Sequence, residues 1–365
     1  MSENISIKKF TKKDIILAVV DGSFLQNNID IPFTPAKAAW LVQNSRAEEG
    51  DILAVLAYSD HRLISYVALV PDYIQDANGN TAKVSWCNRW WIAHDYKDSI
   101  LATYTMTEAL KSVGNQVVIK FLGKEVEGYY QKQPFATFAE RYRYYFIFSL
   151  DTDLVIMKFP MLKKFRTMLS WVDSFSKSVT AFINSRKIKE TIEPLKYNYI
   201  SRLDNELWSA LAPYLTKDLV PKTKELINWQ ISNSQYQRTP VANKYPYHCL
   251  IASAANQIFN LSFTVKNKNR FLGFISVLVR NKEYNVKYFI PFDGCFEECF
   301  GALIENFYSV GTSMLYTENE MLAAAIKERL TTTFIDERKL YALKHNQVAL
   351  DLSPVVVQDH DGHYL

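Results

Sequence analysis

The sequence predicts an α/β chain of mixed (α+β) sheets, arranged as two similar domains in tandem and joined by a basic amphipathic helical segment. Three observations carry this prediction. Helical and strand-like stretches alternate through the first half. The same order of elements returns in the second half, although the residues themselves do not repeat. Between the halves, residues 158–189 keep one helical spacing and are rich in Lys and Arg. A chain of 365 residues favours two domains over one, placed at 1–155 and 197–365 with 156–196 as connector.

In chain order, residues 5–10 read as a strand. Helices are expected at 13–21 and 35–45, the second opened by Thr34 as cap and Pro35 at the first position. Residues 52–58 and 63–71 read as strands joined at Ser59-Asp60-His61-Arg62, and Asp76-Ala77-Asn78-Gly79-Asn80 is a hairpin turn. A strand at 84–92, a polar bend at 94–99 and a helix at 100–110 follow. Then come a strand at 116–122, a helix at 124–131 and an aromatic strand at 141–150. Hairpin strands followed by a strand-helix-strand crossover predict a mixed sheet with helices on both faces. In the second half, strands are expected at 197–203, 248–254, 259–265, 272–280, 284–291, 313–317 and 333–343. Helices are expected there at 204–214, 222–232, 296–308 and 318–328.

Composition narrows the class. Hydrophobic residues make up 48% and charged residues 22%, the balance of a globular chain. Eleven glycines leave little room for a Gly-rich nucleotide loop, and a net charge of +4 gives no nucleic-acid footprint. Cys87, Cys249, Cys295 and Cys299 form no paired framework, which fits a reducing, cytoplasmic setting. Cys249 with His248 would be needed beside Cys295 and Cys299 for a metal, and buried small hydrophobes are the better reading. No metal is expected. No leader opens the chain, and no apolar run approaches the about 20 residues of a spanning helix.

The connector has two readings. Leu162, Phe165, Leu169, Val172, Phe175, Val179, Phe182 and Ile183 recur at helical spacing, with eight cations against the single acid Asp173. The favoured reading is a helix packed on a domain through its apolar stripe, with its basic face in water. The other is peripheral contact with an anionic membrane through 158–189.

The stretch 83–110 is the richest in chemistry. A strand ending in a bend whose amides head the next helix is an anion cradle, because the first helical N–H groups lack internal partners. Such a bend can hold a cofactor pyrophosphate. Downstream, Gly128-Tyr129-Tyr130-Gln131-Lys132-Gln133-Pro134-Phe135 places a phenol, neutral at pH 7 and able to donate a proton. On the strand before the bend, Arg89 and Trp91 share one face, and Asn88 and Trp90 the other. These side chains are candidates to meet substrate; the alternative is that both Trp rings fill cores. Asp72, His94 and Asp95 are nearby carboxylate or imidazole bases, with no spacing that selects one. The tail 358–365 clusters two Asp and two His, but a terminal segment is expected to be mobile and a weak ligand set.

The element order of the first half, with Lys97-Asp98-Ser99-Ile100-Leu101-Ala102 standing where an R/Q-x-x-G-x-G/A loop would stand, resembles the GNAT (Gcn5-related N-acetyltransferase) fold. Lys97 keeps the basic position and Ala102 the small one, while Ile100 replaces the first glycine. The resemblance implies that the Ile92 and Ala93 backbone pairs with pantetheine. It also implies that Lys97, Asp98, Ser99, Ile100, Leu101, Ala102 and Thr103 surround the pyrophosphate, and that Tyr130 protonates the leaving thiolate. Pro134 stands at a second family glycine. The second half resembles the same fold as a degenerate copy, with Phe292-Asp293-Gly294-Cys295 as its bend. The expected function is transfer of an acyl group, acetyl first among them, from acyl-CoA to an amine or hydroxyl of a small molecule or glycan precursor. Arg89, Trp90 and Trp91 would face that acceptor. The alternative, motivated by Ile100 and Pro134, is a non-catalytic binding module that has lost acyl-CoA.

Overall fold

The hairpin and crossover expected in the first half form one continuous ladder. The computed structural model describes residues 4–22, 30–120, 122, 124–189, 196–239, 253–268, 270–362 and 364. Among them the strands are β1 (Ile5–Thr11), β2 (Ile52–Ser59), β3 (Arg62–Gln75), β4 (Thr81–Ile92), β5 (Val117–Ile119), β6 (Phe135–Ile147), β7 (Lys196–Ile200), β8 (Tyr236–Arg238), β9 (Ser253–Ala255), β10 (Ile258–Asn267), β11 (Arg270–Arg280), β12 (Glu283–Pro291), β13 (Met314–Thr317) and β14 (Phe334–His345). The α-helices are α1 (Lys12–Asp21), α2 (Pro35–Leu41), α3 (Leu101–Ser112), α4 (Lys124–Tyr130), α5 (Thr152–Lys158), α6 (Arg166–Lys189), α7 (Asn205–Leu211), α8 (Lys224–Ile231), α9 (Phe296–Val310) and α10 (Glu320–Arg329). Most of the expected strand 248–254 lies outside the described residues.

Two compact units are assembled from separate stretches of chain. Unit 1 gathers Met1–Arg141, Leu215–Ile258 and Leu340–Leu365, and unit 2 gathers Tyr142–Tyr214 and Phe259–Lys339. Residues 156–196, expected as a connector, fall within unit 2.

In unit 1 the ladder runs β1-β2-β3-β4-β5 and closes on the C-terminal part of β14. Every neighbour is antiparallel except β4 and β5, so the sheet is mixed. The β2–β3 turn turns on Asp60 with positive φ, and the Asp76 carboxylate fastens the next turn by accepting from the amides of Asn78 and Asn80. Thr11 opens α1 with a reciprocal bond to Asp14, and Thr34 caps α2. The expected helix 35–45 stops at Leu41 because the Asn44 side chain instead donates to Pro71 O and accepts from Arg46 N. The aromatic strand starts at Phe135 rather than 141. Phe138 and Arg141 are both buried although three residues apart, so this part of the strand lacks the simple period of two that would mark it in the sequence.

Two cores flank that sheet. One buries Ile15, Trp40, Leu56, Tyr66, Trp86 and Tyr364 beneath α1, α2 and the segments around 219–229 and 348–364. Trp40 and Trp229 stack at 4.1 Å, and each indole N–H donates to the other residue's carbonyl. The opposite core buries Val67, Leu69, Met106, Leu110, Val117 and Tyr130 beneath α3 and α4.

In unit 2 the ladder runs β6-β13-β12-β11-β10-β7, where β12 and β13 are the parallel pair. Helices α9 and α10 supply Leu303, Phe307, Leu322 and Ile326 to its core. Gly273 sits where a Cβ would stand 2.4 Å from Cys299 Sγ and 2.7 Å from Ile290 O, so α9 closes on β11 only because that side chain is absent.

Helix α6 reverses the expected arrangement. Its polar side is the one that faces unit 2. Thr180 donates to Phe148 O, Asn184 to Tyr308 Oη and Thr331 O, and Asp173 accepts from the amides of Asp151 and Thr152. The apolar stripe that was expected to pack inward is largely turned to water, with Phe175 71% exposed. The reason is the surface beneath: loop amides and carbonyls at 148–152 and 331 need polar partners, and unpaired buried polar groups cost more than exposed apolar ones gain.

Candidate functional site

The site grows from an irregularity in the unit 1 sheet. Strands β3 and β4 pair from Gln75–Thr81 to Ser65–Ile92, but Ala68 faces Arg89 while Leu69 faces Cys87. Asn88 is therefore an extra residue, a bulge that bends β4 and re-aims its side chains. The parallel ladder between β4 and β5 has only two rungs, Ser85–Val117 and Trp86–Val118. From Cys87 to Ile92 β4 is paired, among the described residues, with β3 alone, so its edge toward β5 opens as a splay.

The bulge changes which residues share a face. Cys87 and Trp90 turn to the α3–α4 core, whereas Trp86 and Trp91 turn to the opposite one. Arg89 is exposed, and both candidate tryptophans are half-buried. Trp90 packs 5.0 Å from Tyr129 and 6.1 Å from Tyr130, and its indole N–H has no partner among the described residues. Trp91 lies 5.6 Å from Tyr66. The rings thus contribute to both cores without being sealed in them.

At the far end of the splay β4 leads into the bend before α3. Several amides there are already engaged. Ala93 donates to Ile64 O and accepts from Tyr96 N, so its backbone is closed to a ligand, contrary to expectation. Lys97 donates to His94 O, Ser99 to Tyr96 O, and Leu101 to the Ser99 hydroxyl. The amides of Asp98, Ile100, Ala102 and Thr103 donate to no acceptor among the described residues. The Ile100 side chain is 85% exposed and leaves these amides uncovered. The first turn of α3 carries no acidic residue, and Lys97 is exposed beside it. The bend can therefore attract an anion by its oriented N–H groups, while the exposed Asp98 offsets the charge of the neighbouring Lys97.

The bend between β12 and α9 in unit 2 differs in charge and packing. A bulge at Lys287 precedes it, as Asn88 precedes the first. Yet Glu297 and Glu298 occupy the first turn of α9, Phe292 stacks at 4.7 Å on Tyr214, and Asp293 N donates to the Tyr214 hydroxyl. Negative charge and a filled surface make that bend a poor anion site.

Tyr130 is brought beneath the splay, but inside the core. It is 4% exposed, ringed by Trp90, Tyr129 and Phe135, with its hydroxyl 4.0 Å from Met106 Sδ. Burial, with Cys87 and Tyr129 beside it, pushes the phenol far above its ordinary value, so it keeps its proton at neutral pH. Burial likewise raises the Cys87 thiol to about 12. Cys87 is the neighbour that sequence reasoning missed; it reaches Tyr130 only because the bulge flips the strand, and no local signal marks that.

The remaining candidates resolve into structure. Asp72 is a buried node that accepts from Trp86 Nε1 at 3.1 Å, from the Tyr364 hydroxyl and from Arg46, so it is no free base. His94 is exposed, and Asp95 pairs with Arg62 at 3.0 Å on the surface. The tail expected to be mobile is packed into unit 1. Lys222 and Asp361 pair with both side chains fully buried, and Lys120 donates to Gln358 O and Asp359 O at 2.6 Å each. Among the described residues no group of side chains could hold a metal; His248, Cys249 and His363 lie outside them. Cys295 and Cys299 instead donate to the carbonyls of Asp293 and Leu272.

Asp218, beside His360 at 3.3 Å, is held by burial up to about 6 against 3.8. The unfolded carboxyl releases its proton near 3.8 while the folded one keeps it to about 6, so folding takes up a proton across that window. Its contribution is most favourable below about 4 and is lost as the pH rises to about 6. Asp218→Asn is therefore expected to stabilise the chain relative to wild type by up to about 3 kcal/mol at pH 7.5, and by far less at pH 4.5. Thermal melts at the two pH values measure this, and a pH-independent difference refutes it.

No protein-family model matches the chain, and neither does any curated protein. Solved structures do. A GCN5-related N-acetyltransferase from Anabaena variabilis superposes with TM-score 0.48 at 11% identity, over 93% of this chain and 72% of that one. A conserved protein of unknown function from Enterococcus faecalis, described as a probable N-acyltransferase, gives 0.47 at 9% identity over 93% and 72%. A putative acetyltransferase from Pyrococcus horikoshii gives 0.45 at 10% identity over 99% and 96%.

Proposed function

We propose that the chain is an acyltransferase that takes an acyl group, acetyl first among them, from acyl-CoA. The acceptor would be an amine or hydroxyl of a small molecule or glycan precursor. The observation that carries this is the splay of β4 from β5 leading to four unengaged amides at the head of α3. An extended pantetheine arm is an amide chain, and it can add to an open strand edge as another strand would. Its pyrophosphate would then meet Asp98, Ile100, Ala102 and Thr103 N–H groups, with Lys97 beside them.

The chemistry asked of the protein is small. The acceptor's lone pair forms a bond to the thioester carbonyl carbon, and the carbon–sulfur bond breaks. The acceptor's proton leaves to water, and the departing thiolate takes one from Tyr130. Arg89, Trp90 and Trp91 would flank the acceptor. Unpaired Cys87, Cys295 and Cys299 accord with a cytoplasmic setting. The second reading, a binding module, draws on the burial of Tyr130. Turnover separates the two.

Calorimetric titration with acetyl-CoA tests the site. Micromolar to submillimolar binding is expected, and no heat at millimolar ligand ends the proposal. Ile100→Asp sharpens the test because its two effects have opposite signs. A carboxylate at the head of α3 is expected to stabilise the helix by about 0.3–1 kcal/mol and to weaken acetyl-CoA binding about tenfold by repelling phosphate.

A further inference from the structure

We propose that the outward face of the 157–187 segment is an interfacial membrane-binding surface that seats on anionic lipid. The inference rests on the inverted packing of α6 and not on the transferase reading. Met168, Trp171, Phe175 and Phe182 recur at helical spacing on one side of α6, and Met161 and Phe165 extend the line through the preceding turn. All six are exposed, Met161 at 78% and Trp171 at 75%. From 168 to 182 the stripe is roughly 20 Å long at the rise of an α-helix.

The helix cannot turn this stripe inward, because its other side is fixed by Thr180, Asn184 and Asp173 to the body of unit 2. A contiguous apolar face held outward by polar bonds marks a contact surface rather than unfinished packing. Its residue types are those of a water–lipid interface, where Trp and Phe insert and long cationic side chains reach the headgroups.

Charge selects the occupant. Lys158, Lys163, Lys164 and Arg166 are exposed at one end of the stripe, and Arg186 and Lys187 at the other. Lys164 and Arg186 lie over the rings of Phe165 and Phe182, so their stems follow the apolar face while their charge stays at its rim. Arg166 pairs with Asp153, while Asp173 is turned inward to cap residues 151 and 152. A second copy laid along this face would bring cations against cations in either direction. An anionic headgroup layer neutralises both ends at once. No helix among the described residues is long and apolar enough to cross a membrane, so the contact lies in the interface plane.

Co-sedimentation of the full chain with vesicles tests this. The chain is expected to pellet with phosphatidylserine-rich vesicles, and about tenfold less with pure phosphatidylcholine or in high salt. Trp171→Ser with Phe175→Ser is expected to lose about tenfold or more of that binding while keeping the wild-type melting curve, since both rings project from the folded unit. Lys163→Glu with Lys164→Glu is expected to remove the preference for phosphatidylserine. Wild-type chain that stays in the supernatant with phosphatidylserine-rich vesicles overturns the proposal, as does undiminished binding by the Trp171→Ser, Phe175→Ser variant. A micromolar dimer that this variant dissociates, with no vesicle binding by wild type, assigns the stripe to self-association and also overturns it.

Discussion

Lys222→Ala is expected to lower the stability of unit 1 by about 3–5 kcal/mol. Lys222 and Asp361 are a pair from which water is wholly excluded. Removing the ammonium leaves a carboxylate whose remaining contacts are Gln358 N at 2.9 Å and His360 Nε2 at 3.7 Å. An amide N–H and a more distant imidazole do not replace an ammonium in a low-dielectric site. Against a typical total of about 5–15 kcal/mol the loss is large. Urea unfolding followed by tryptophan fluorescence measures it, because Trp40, Trp86 and Trp229 all lie in this core. The double variant Lys222→Met, Asp361→Asn is expected to regain most of the loss, since Asn can still accept from Gln358 N without a charge to solvate. If the single variant unfolds at the wild-type midpoint, the tail is not held as described. Deleting residues from 357 onward is expected to be more damaging still. Lys37 would lose Tyr364 O, Lys120 would lose Gln358 O and Asp359 O, and Lys222 would lose Asp361.

Tyr130→Phe is expected to reduce kcat by roughly 10²-fold, the scale of a lost general acid, with KM for acetyl-CoA nearly unchanged. The substitution keeps the ring that packs on Phe135 at 5.2 Å and removes only a hydroxyl whose contacts are Met106 and Cys87. No strong hydrogen bond is broken, so the melting temperature should stay close to that of wild type. A variant that turns over as wild type does makes Tyr130 an ordinary packed aromatic. Because its pKa lies far above neutral, the phenol carries its proton throughout the working range, and no limb of the pH–rate profile near neutrality should belong to it.

Local pattern carried much of the fold. The apolar runs at 52–58 and 63–71, the Thr34-Pro35 start and the turn at Asp76 each depend on neighbours in sequence, and each has its counterpart in β2, β3, α2 and the hairpin. What depended on distant partners was hidden. The bulge at Asn88 exists only in register with Ala68 and Leu69, so the pairing of Cys87 with Tyr130 could not be read. The tail looked mobile because its partners Lys37, Lys120 and Lys222 come from far away in the chain. In α6 and the turn before it, periodicity found Phe165, Phe175 and Phe182 of the exposed apolar face but passed over Met161, Met168 and Trp171 and gave no sign of direction. The Thr180 and Asn184 bonds to 148 and 331 decide that, and neither loop resembles a helix-binding surface in sequence. The bend before α3 was legible as a location, while which amides remain free depended on how His94, Tyr96 and Ser99 close the turn.

The three-segment make-up of unit 1 sets an order on biosynthesis. Translation delivers the last residue of unit 2, Lys339, while the strand that closes unit 1, Leu340–His345, and the buried Tyr364 are still to be made. The nascent chain can therefore complete its middle before its beginning, the reverse of the usual N-terminal-first order. Throughout that interval the opening 141 residues wait with the edge of β5 uncovered, which is the moment at which a chaperone would be most needed.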